Sequence, residues 1–229
     1  MSTRNKLQKF AEVLSFPNVF ENFNAKDRIL VGKDGEQVDY SSGWNDFYFK
    51  NNNPIILELA CGRGEYSLEL ARRNPDINYI GVDIKGARIW KGAKIALEEN
   101  LHNICFLRTR IEHISDFFKP EEVDQIWITF PDPFLKKSKS NRRLTSPLFL
   151  ERYRNILKNN GIIHLKTDSP ELYEFTLEVI SKDRNCNIIY KNSDIYSKQL
   201  DFSSLNIKTF YERSHLEKGR KIKYIRFSI

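Results

Sequence analysis

Between residues 54 and 64 a short apolar run breaks into a glycine-bearing loop, and this turn narrows the folds open to the chain more than any other feature. Pro54-Ile55-Ile56-Leu57-Glu58-Leu59-Ala60 has the length and apolar character of a buried strand, and it ends in Cys61-Gly62-Arg63-Gly64. An amphipathic helix follows, with Leu68, Leu70 and Ala71 inward and Arg72-Arg73 near an end set before Pro75. Tyr79 to Asp83 reads as a second strand. Residues 87–99 carry Ile89, Trp90, Ala93, Ala96 and Leu97 at helical spacing. Further strands are expected at 104–107, 125–130 and 161–167, with helices at 111–118, 146–158 and 170–181. Closing strands near 186–191 and 223–229 suit antiparallel pairing. Repeated strand–helix units of this length predict an α/β fold: a Rossmann-like, mostly parallel sheet of seven strands with helices on both faces.

Residues 1–50 lack this pattern. Basic residues (Arg4, Lys6, Lys9) precede a Phe-containing stretch, and Gly32-Lys33-Asp34-Gly35 reads as a turn. They are expected to form an arm that packs on a main domain spanning 51–229. The 229-residue chain suits one such domain.

The net charge of +7 suits a polyanionic partner or simple solubility. Cys61, Cys105 and Cys186 are odd in number and far apart, as in a protein of a reducing compartment. His102, His113, His164 and His215 show no metal-ligand spacing, so no metal is expected. No apolar run reaches the roughly 18 residues of a membrane span, and the start of the chain lacks a signal-peptide core. A soluble, cytoplasmic protein without membrane partners is expected.

In folds of this type ligands sit beyond the carboxyl ends of the strands, where strand order reverses. Gly62 and Gly64 allow sharp backbone bending and close approach to a ligand. Asp83 lies 19 residues past Gly64 at a strand end, where a carboxylate can accept from both ribose hydroxyls of an adenosine-containing cofactor. The loop lacks the G-x-G-x-x-G that seats a pyrophosphate, since Ser67 stands three residues after Gly64. Glu58 would repel phosphate yet suits a cationic ligand. The balance favours S-adenosylmethionine over a dinucleotide.

The fourth strand runs into Phe130-Pro131-Asp132-Pro133-Phe134, where two prolines restrict the backbone around an aspartate. A carboxylate there could accept from the N1–H and N2–H₂ donors of guanine, leaving N7 free on the opposite edge. N7 carries no proton, so its methylation requires alignment and desolvation, not a general base. Five cations follow within residues 136–143: Lys136, Lys137, Lys139, Arg142 and Arg143. Beside a reaction centre they suit RNA backbone contact, although an isolated basic loop is often only solvated. Asp168 ends the fifth strand, where it could hold a guanine edge or cap the helix that starts at Pro170.

Four segments in this order resemble the bacterial tRNA (guanine-N7-)-methyltransferase family: residues 57–64, the 130–134 turn with its basic tail, Lys166-Thr167-Asp168, and Lys208-Thr209-Phe210-Tyr211-Glu212-Arg213. The resemblance runs from about Gly43 to the C-terminus. It implies a class I methyltransferase fold, S-adenosylmethionine as cofactor and tRNA as partner. It implies methylation of the guanosine at tRNA position 46, in the variable loop. Glu58 and Asp83 would bind the cofactor, and Asp132 would sit at the methyl-transfer site. Lys136 and Asp168 would bind substrate, and Thr209, Tyr211 and Glu212 would line the guanine pocket. Taken alone, Glu212 reads as a surface acid paired with a neighbouring arginine. Arg110 departs from the family, which usually places Asp or Asn there beside the adenine. It could stack on that ring or offer its backbone N–H. Phe134 stands where Trp is common. Another RNA methyltransferase, on rRNA or an exocyclic amine, and a non-catalytic RNA-binding protein on the same fold are the alternatives. No obligate protein partner is implied; a monomer or homodimer fits.

Overall fold

The computed structural model describes residues 3–24 and 26–229, with side chains in the first helix from Gln8 onward. Among the described residues, eight strands form one sheet: β1 (Val19–Glu21), β2 (Ile55–Leu59), β3 (Asn78–Asp83), β4 (Ile104–Arg108), β5 (Val123–Thr129), β6 (Leu157–Thr167), β7 (Asn187–Asn192) and β8 (Lys223–Ser228). Their spatial order is β1-β4-β3-β2-β5-β6-β8-β7. Pairings from β1 to β6 are parallel, and β8 enters antiparallel between β6 and β7. The helices are α1 (Thr3–Leu14), α2 (Glu65–Arg73), α3 (Gly86–Glu98), α4 (Pro147–Arg154), α5 (Pro170–Lys182) and α6 (Phe210–Glu217).

Strand order reverses at β2. The chain steps from β2 to β3 and β4 on one side, then crosses to β5 and β6 on the other. The resulting crevice lies beyond the carboxyl ends of β2 and β5. Alternating side chains send Leu57, Leu59, Ile126 and Ile128 into one core with Phe149 and Tyr153 of α4 and Leu172 of α5. Ile56, Phe106 and Trp127 enter the other with Leu68 of α2 and Ile89 and Ala93 of α3. Glu58 therefore points to the face covered by α2 and α3.

The sheet has one strand more than the seven expected. The addition is β1, only three residues long and too short to show a periodicity, which pairs with β4 from Val19↔Phe106 to Glu21↔Arg108. The Glu21 carboxylate accepts from Arg108 at 2.7 Å. Trp44 is wholly buried: its indole N–H donates to the Phe117 carbonyl at 2.8 Å, and its ring packs edge-on against Phe20 at 5.3 Å. The early segment thus contributes to the core.

Other boundaries shift for local reasons. The expected helix over 111–118 is a 3-10 turn, Ile111–Asp116. The helix expected over 146–158 stops at Arg154, because β6 begins at Leu157. Leu157 pairs with Val123 but Ile162 pairs with Gln125, so residues 158–161 interrupt the register. The α6 helix was not expected. Among the described residues, no helix is long and apolar enough to cross a membrane.

Replacing Trp44 with Ala should remove this anchor and lower stability by about 3–5 kcal/mol, the usual cost of deleting a buried aromatic. Urea denaturation followed by circular dichroism would measure it. A loss below about 1 kcal/mol would mean that the segment contributes little to the core.

Candidate active site

The loop after β2 is bent by left-handed residues: Ala60 at φ 58°, Gly62 at 59° and Gly64 at 65°. Gly64 has a further constraint, since a Cβ there would lie 2.5 Å from the Phe106 ring. The bend turns the Gly62 N–H toward Asp83, whose Oδ2 accepts it at 2.9 Å. Asp83 Oδ1 accepts from the Lys85 backbone at 2.8 Å. Each oxygen keeps a second acceptor site. Asp83 is buried and lines a cavity of about 280 Å³ with Ala60, Thr109, Arg110, Asp132 and Phe134.

Glu58 stands near the end of β2. It is buried, and its Oε2 accepts from Ser67 N at 3.0 Å and Ser67 Oγ at 2.5 Å. Its Oε1 accepts from Thr129 Oγ1 at 2.7 Å. Desolvation is the largest influence and pushes its pKa up to about 7; the Ser67 and Thr129 hydrogen bonds pull the other way. Glu58 lines a second cavity of about 320 Å³ together with Gly62, Arg63, Lys85, Asp132, Thr209 and Tyr211.

Asp132 is exposed at the tip of its turn, and its Oδ1 accepts the Phe134 N–H at 3.0 Å. Phe130 (φ 49°) and Phe134 (φ 42°) adopt left-handed backbone on either side. Arg143 holds this turn, donating to the Pro133 carbonyl at 3.0 Å and the Phe134 carbonyl at 3.1 Å, with Phe175 beneath its guanidinium. It is buried, which corrects its expected place among the RNA-facing cations. Lys136, Lys137, Lys139 and Arg142 are exposed, and among the described residues none lies within ion-pair distance of a carboxylate.

A third cleft, about 750 Å³, lies on the far side of the turn, lined by Asp132, Leu135, Asp168, Tyr211, His215 and Arg220. Asp168 does not cap α5, because Ser169 does, accepting from Leu172 N. Asp168 instead accepts from Arg220, with His215 Nδ1 3.5 Å away. Asp132 lines all three cavities, so the turn forms their shared wall.

Thr209 caps α6 by accepting from Glu212 N at 3.2 Å. Tyr211 is exposed and borders two of the cavities. Glu212 is not the surface acid its sequence context suggests. It is wholly buried and paired at 2.8 Å with Lys166, which is equally buried, and it accepts from the Tyr196 hydroxyl at 2.7 Å. Lys166 also donates to the Leu205 and Ile207 carbonyls. Burial lowers the lysine's pKa, and Glu212 opposes that shift. Glu212 therefore reaches the site only through the helix it anchors.

Sequence reasoning missed two residues. Thr109 is buried beside the Asp83 cavity, and among the described residues its hydroxyl has no hydrogen-bond partner. His215 lies over the Phe130 ring at 5.7 Å and borders two cavities. Neither belongs to a motif that would mark it. The unexpected α6 did carry such a signal: Thr209-x-x-Glu212 has the form of a capping box.

The model of a methyltransferase family, Methyltransf_4, matches residues 52–225. A tRNA (guanine-N(7)-)-methyltransferase of Christiangramia forsetii is 47% identical over 234 residues, covering all of both chains. The chain belongs to the tRNA (guanine-N(7)-)-methyltransferase family. Its fold is that of class I methyltransferases. The 16S rRNA methyltransferase KamB superposes with a TM-score of 0.62 at 15% identity, covering 87% of this chain and 97% of its own. Geranyl diphosphate C-methyltransferase from Streptomyces coelicolor, solved with S-adenosyl-L-homocysteine, gives 0.53 at 14% identity over 77% of this chain and 69% of its own. Both likenesses concern the fold alone.

In this family member the Glu58 shift has a stability consequence. Its folded pKa is raised, so its contribution is fully present below the unfolded value of 4.5 and is lost as pH rises through about 7. His164 opposes this. Desolvation depresses its pKa to about 3, so its contribution is lost as pH falls below 6.5. The two slopes nearly cancel between pH 4.5 and 6.5. The difference between the parent and Glu58→Gln isolates Glu58: the parent's relative stability should fall by about 3 kcal/mol from pH 4.5 to 7.5. Urea titrations of both proteins across that range test it, and a pH-independent difference would place the carboxyl in a far less desolvated setting.

Proposed function

We propose that the protein transfers a methyl group from S-adenosylmethionine to N7 of the guanosine at position 46 of tRNA. The observation that carries this is the position of Asp132, on the shared wall of the three cavities. The residues present fit the cofactor. Asp83 has acceptor capacity for ribose hydroxyls on the wall of the first cavity. Arg110 borders the same cavity, where its guanidinium can cover the adenine ring. Glu58, once ionised, favours the ammonium end, and Gly62 and Gly64 let the backbone approach. When bound, the cofactor supplies an electrophilic methyl on a sulfonium.

The chain's own residues then have three tasks. Asp132 accepts from the guanine edge and offsets the positive charge that develops on the ring. Asp168, Tyr211 and Lys136 hold the substrate side of the turn, and Thr209 with Glu212 sets the position of α6. Lys137, Lys139 and Arg142 contact RNA phosphates. Cytoplasmic action on tRNA follows from this reading.

Incubation with labelled S-adenosylmethionine and unmodified tRNA should yield 7-methylguanosine on digestion. Asp132→Ala should lower turnover at least about 100-fold, while donor affinity stays within about threefold. A parallel loss of donor affinity would assign Asp132 to the cofactor alone. Label recovered on an exocyclic amine would overturn the reaction.

A further inference from the structure

A separate cleft of about 470 Å³ opens where α2, α3 and the start of α6 meet. Six cations and two acids line it. The acids are already engaged. Glu65 accepts the Phe210 N–H, and Glu69 binds Arg72 and Arg73. Four cations remain without a carboxylate within ion-pair distance among the described residues: Arg63, Lys91, Lys208 and Arg213. Lys91, Lys208 and Arg213 are exposed. Lys208 lies over the Tyr196 ring at 4.8 Å, a contact that orients the charge without neutralising it.

Unneutralised cations converging in a concave polar cleft attract a polyanion. The location specifies which kind. Arg63 and Glu65 line both this cleft and the Glu58 cavity, so the two are neighbours. At their junction Arg63 packs over the exposed Phe210 ring at 5.5 Å, which offers an apolar face at the mouth. The cleft belongs to the face of the sheet covered by α2 and α3, whereas the 136–142 loop leads into α4 on the opposite face. Of the cavities walled by Asp132, one shares Arg63 and Glu65 with the cleft and another is lined by Arg142 of the loop.

We propose that this cleft is a second phosphate-binding track, taking RNA backbone on the face of the sheet opposite the 136–142 loop, so that the strand crosses the reacting cavity between them. The proposal rests on tRNA being the substrate. Arg63 is the hinge of the track, and Lys91, Lys208 and Arg213 provide its charge. Phosphates held on both sides of one nucleotide would fix its sugar while the base turns inward.

The test is equilibrium binding of unmodified tRNA in the presence of S-adenosylhomocysteine, across a salt series. The variant Lys91→Gln/Lys208→Gln/Arg213→Gln should weaken binding roughly 10-fold and reduce the log–log salt slope by about 2. All three positions are exposed, and a conservative Lys91→Arg/Lys208→Arg form should retain the parental slope. A control with the same charge change, Lys50→Gln/Lys119→Gln/Lys158→Gln, lies by the amino ends of β2, β5 and β6, away from the crevice, and should leave the slope unchanged. Equal effects of cleft and control variants, or an unchanged slope in the cleft variant, would overturn the track. Because binding is read without turnover, a cleft-specific loss in a protein that forms no 7-methylguanosine would sustain the track and refute the proposed reaction instead.

Discussion

Glu58 ties together the three elements that meet where the sheet changes direction. Its carboxyl sits at the end of β2, takes two hydrogen bonds from Ser67 near the start of α2, and takes a third from Thr129 at the end of β5. A buried acid is a costly choice for a structural link, because an apolar residue would fill the same space without desolvation. The three donors offset only part of that cost, and the group is left titrating near neutrality. Such a residue makes sense where charge is needed by a ligand. The same bonds fix the height of the glycine loop, which in turn aims Gly62 at Asp83.

A second buried polar link builds the opposite wall. Lys166, near the end of β6, is bound by Glu212 and by the carbonyls of Leu205 and Ile207. These contacts carry α6 and the segment before it onto the rim, placing Tyr211 and Phe210 beside the crevice. Removing either partner of a buried pair typically costs about 3–5 kcal/mol, because the other charge is stranded. The wall is thus rigid although its tip is exposed. Between these two links stands the Asp132 turn, clamped from behind by Arg143.

Much of this was legible in the sequence, and the reasons are physical. Parallel strands buried on both faces appear as unbroken apolar runs, so β2, β3, β5 and β6 announce themselves, and their carboxyl ends name Glu58, Asp83, Asp132 and Asp168. What escaped depends on direction rather than pattern. Val19–Glu21 is too short for a periodicity, and its place is set by pairing with β4. Arg142 and Arg143 are adjacent and chemically alike, yet one lies over Phe134 at the surface and the other is buried behind the turn. Glu212 is drawn inward by a lysine 46 residues away in sequence. Thr109 is marked only by what it lacks among the described residues, a partner for a buried hydroxyl.

The central claim is that carboxylates at this crevice hold a purine so that its N7 lone pair meets the methyl group, with no proton removed from the nucleophile. Replacing the target guanosine of the tRNA with 7-deazaguanosine deletes that lone pair and leaves the Watson–Crick edge intact. Measured with labelled donor, the deaza tRNA should bind as the parent does and accept no methyl group, whereas the unaltered tRNA gives 7-methylguanosine. Methylation of the deaza tRNA at an equal rate would contradict the account.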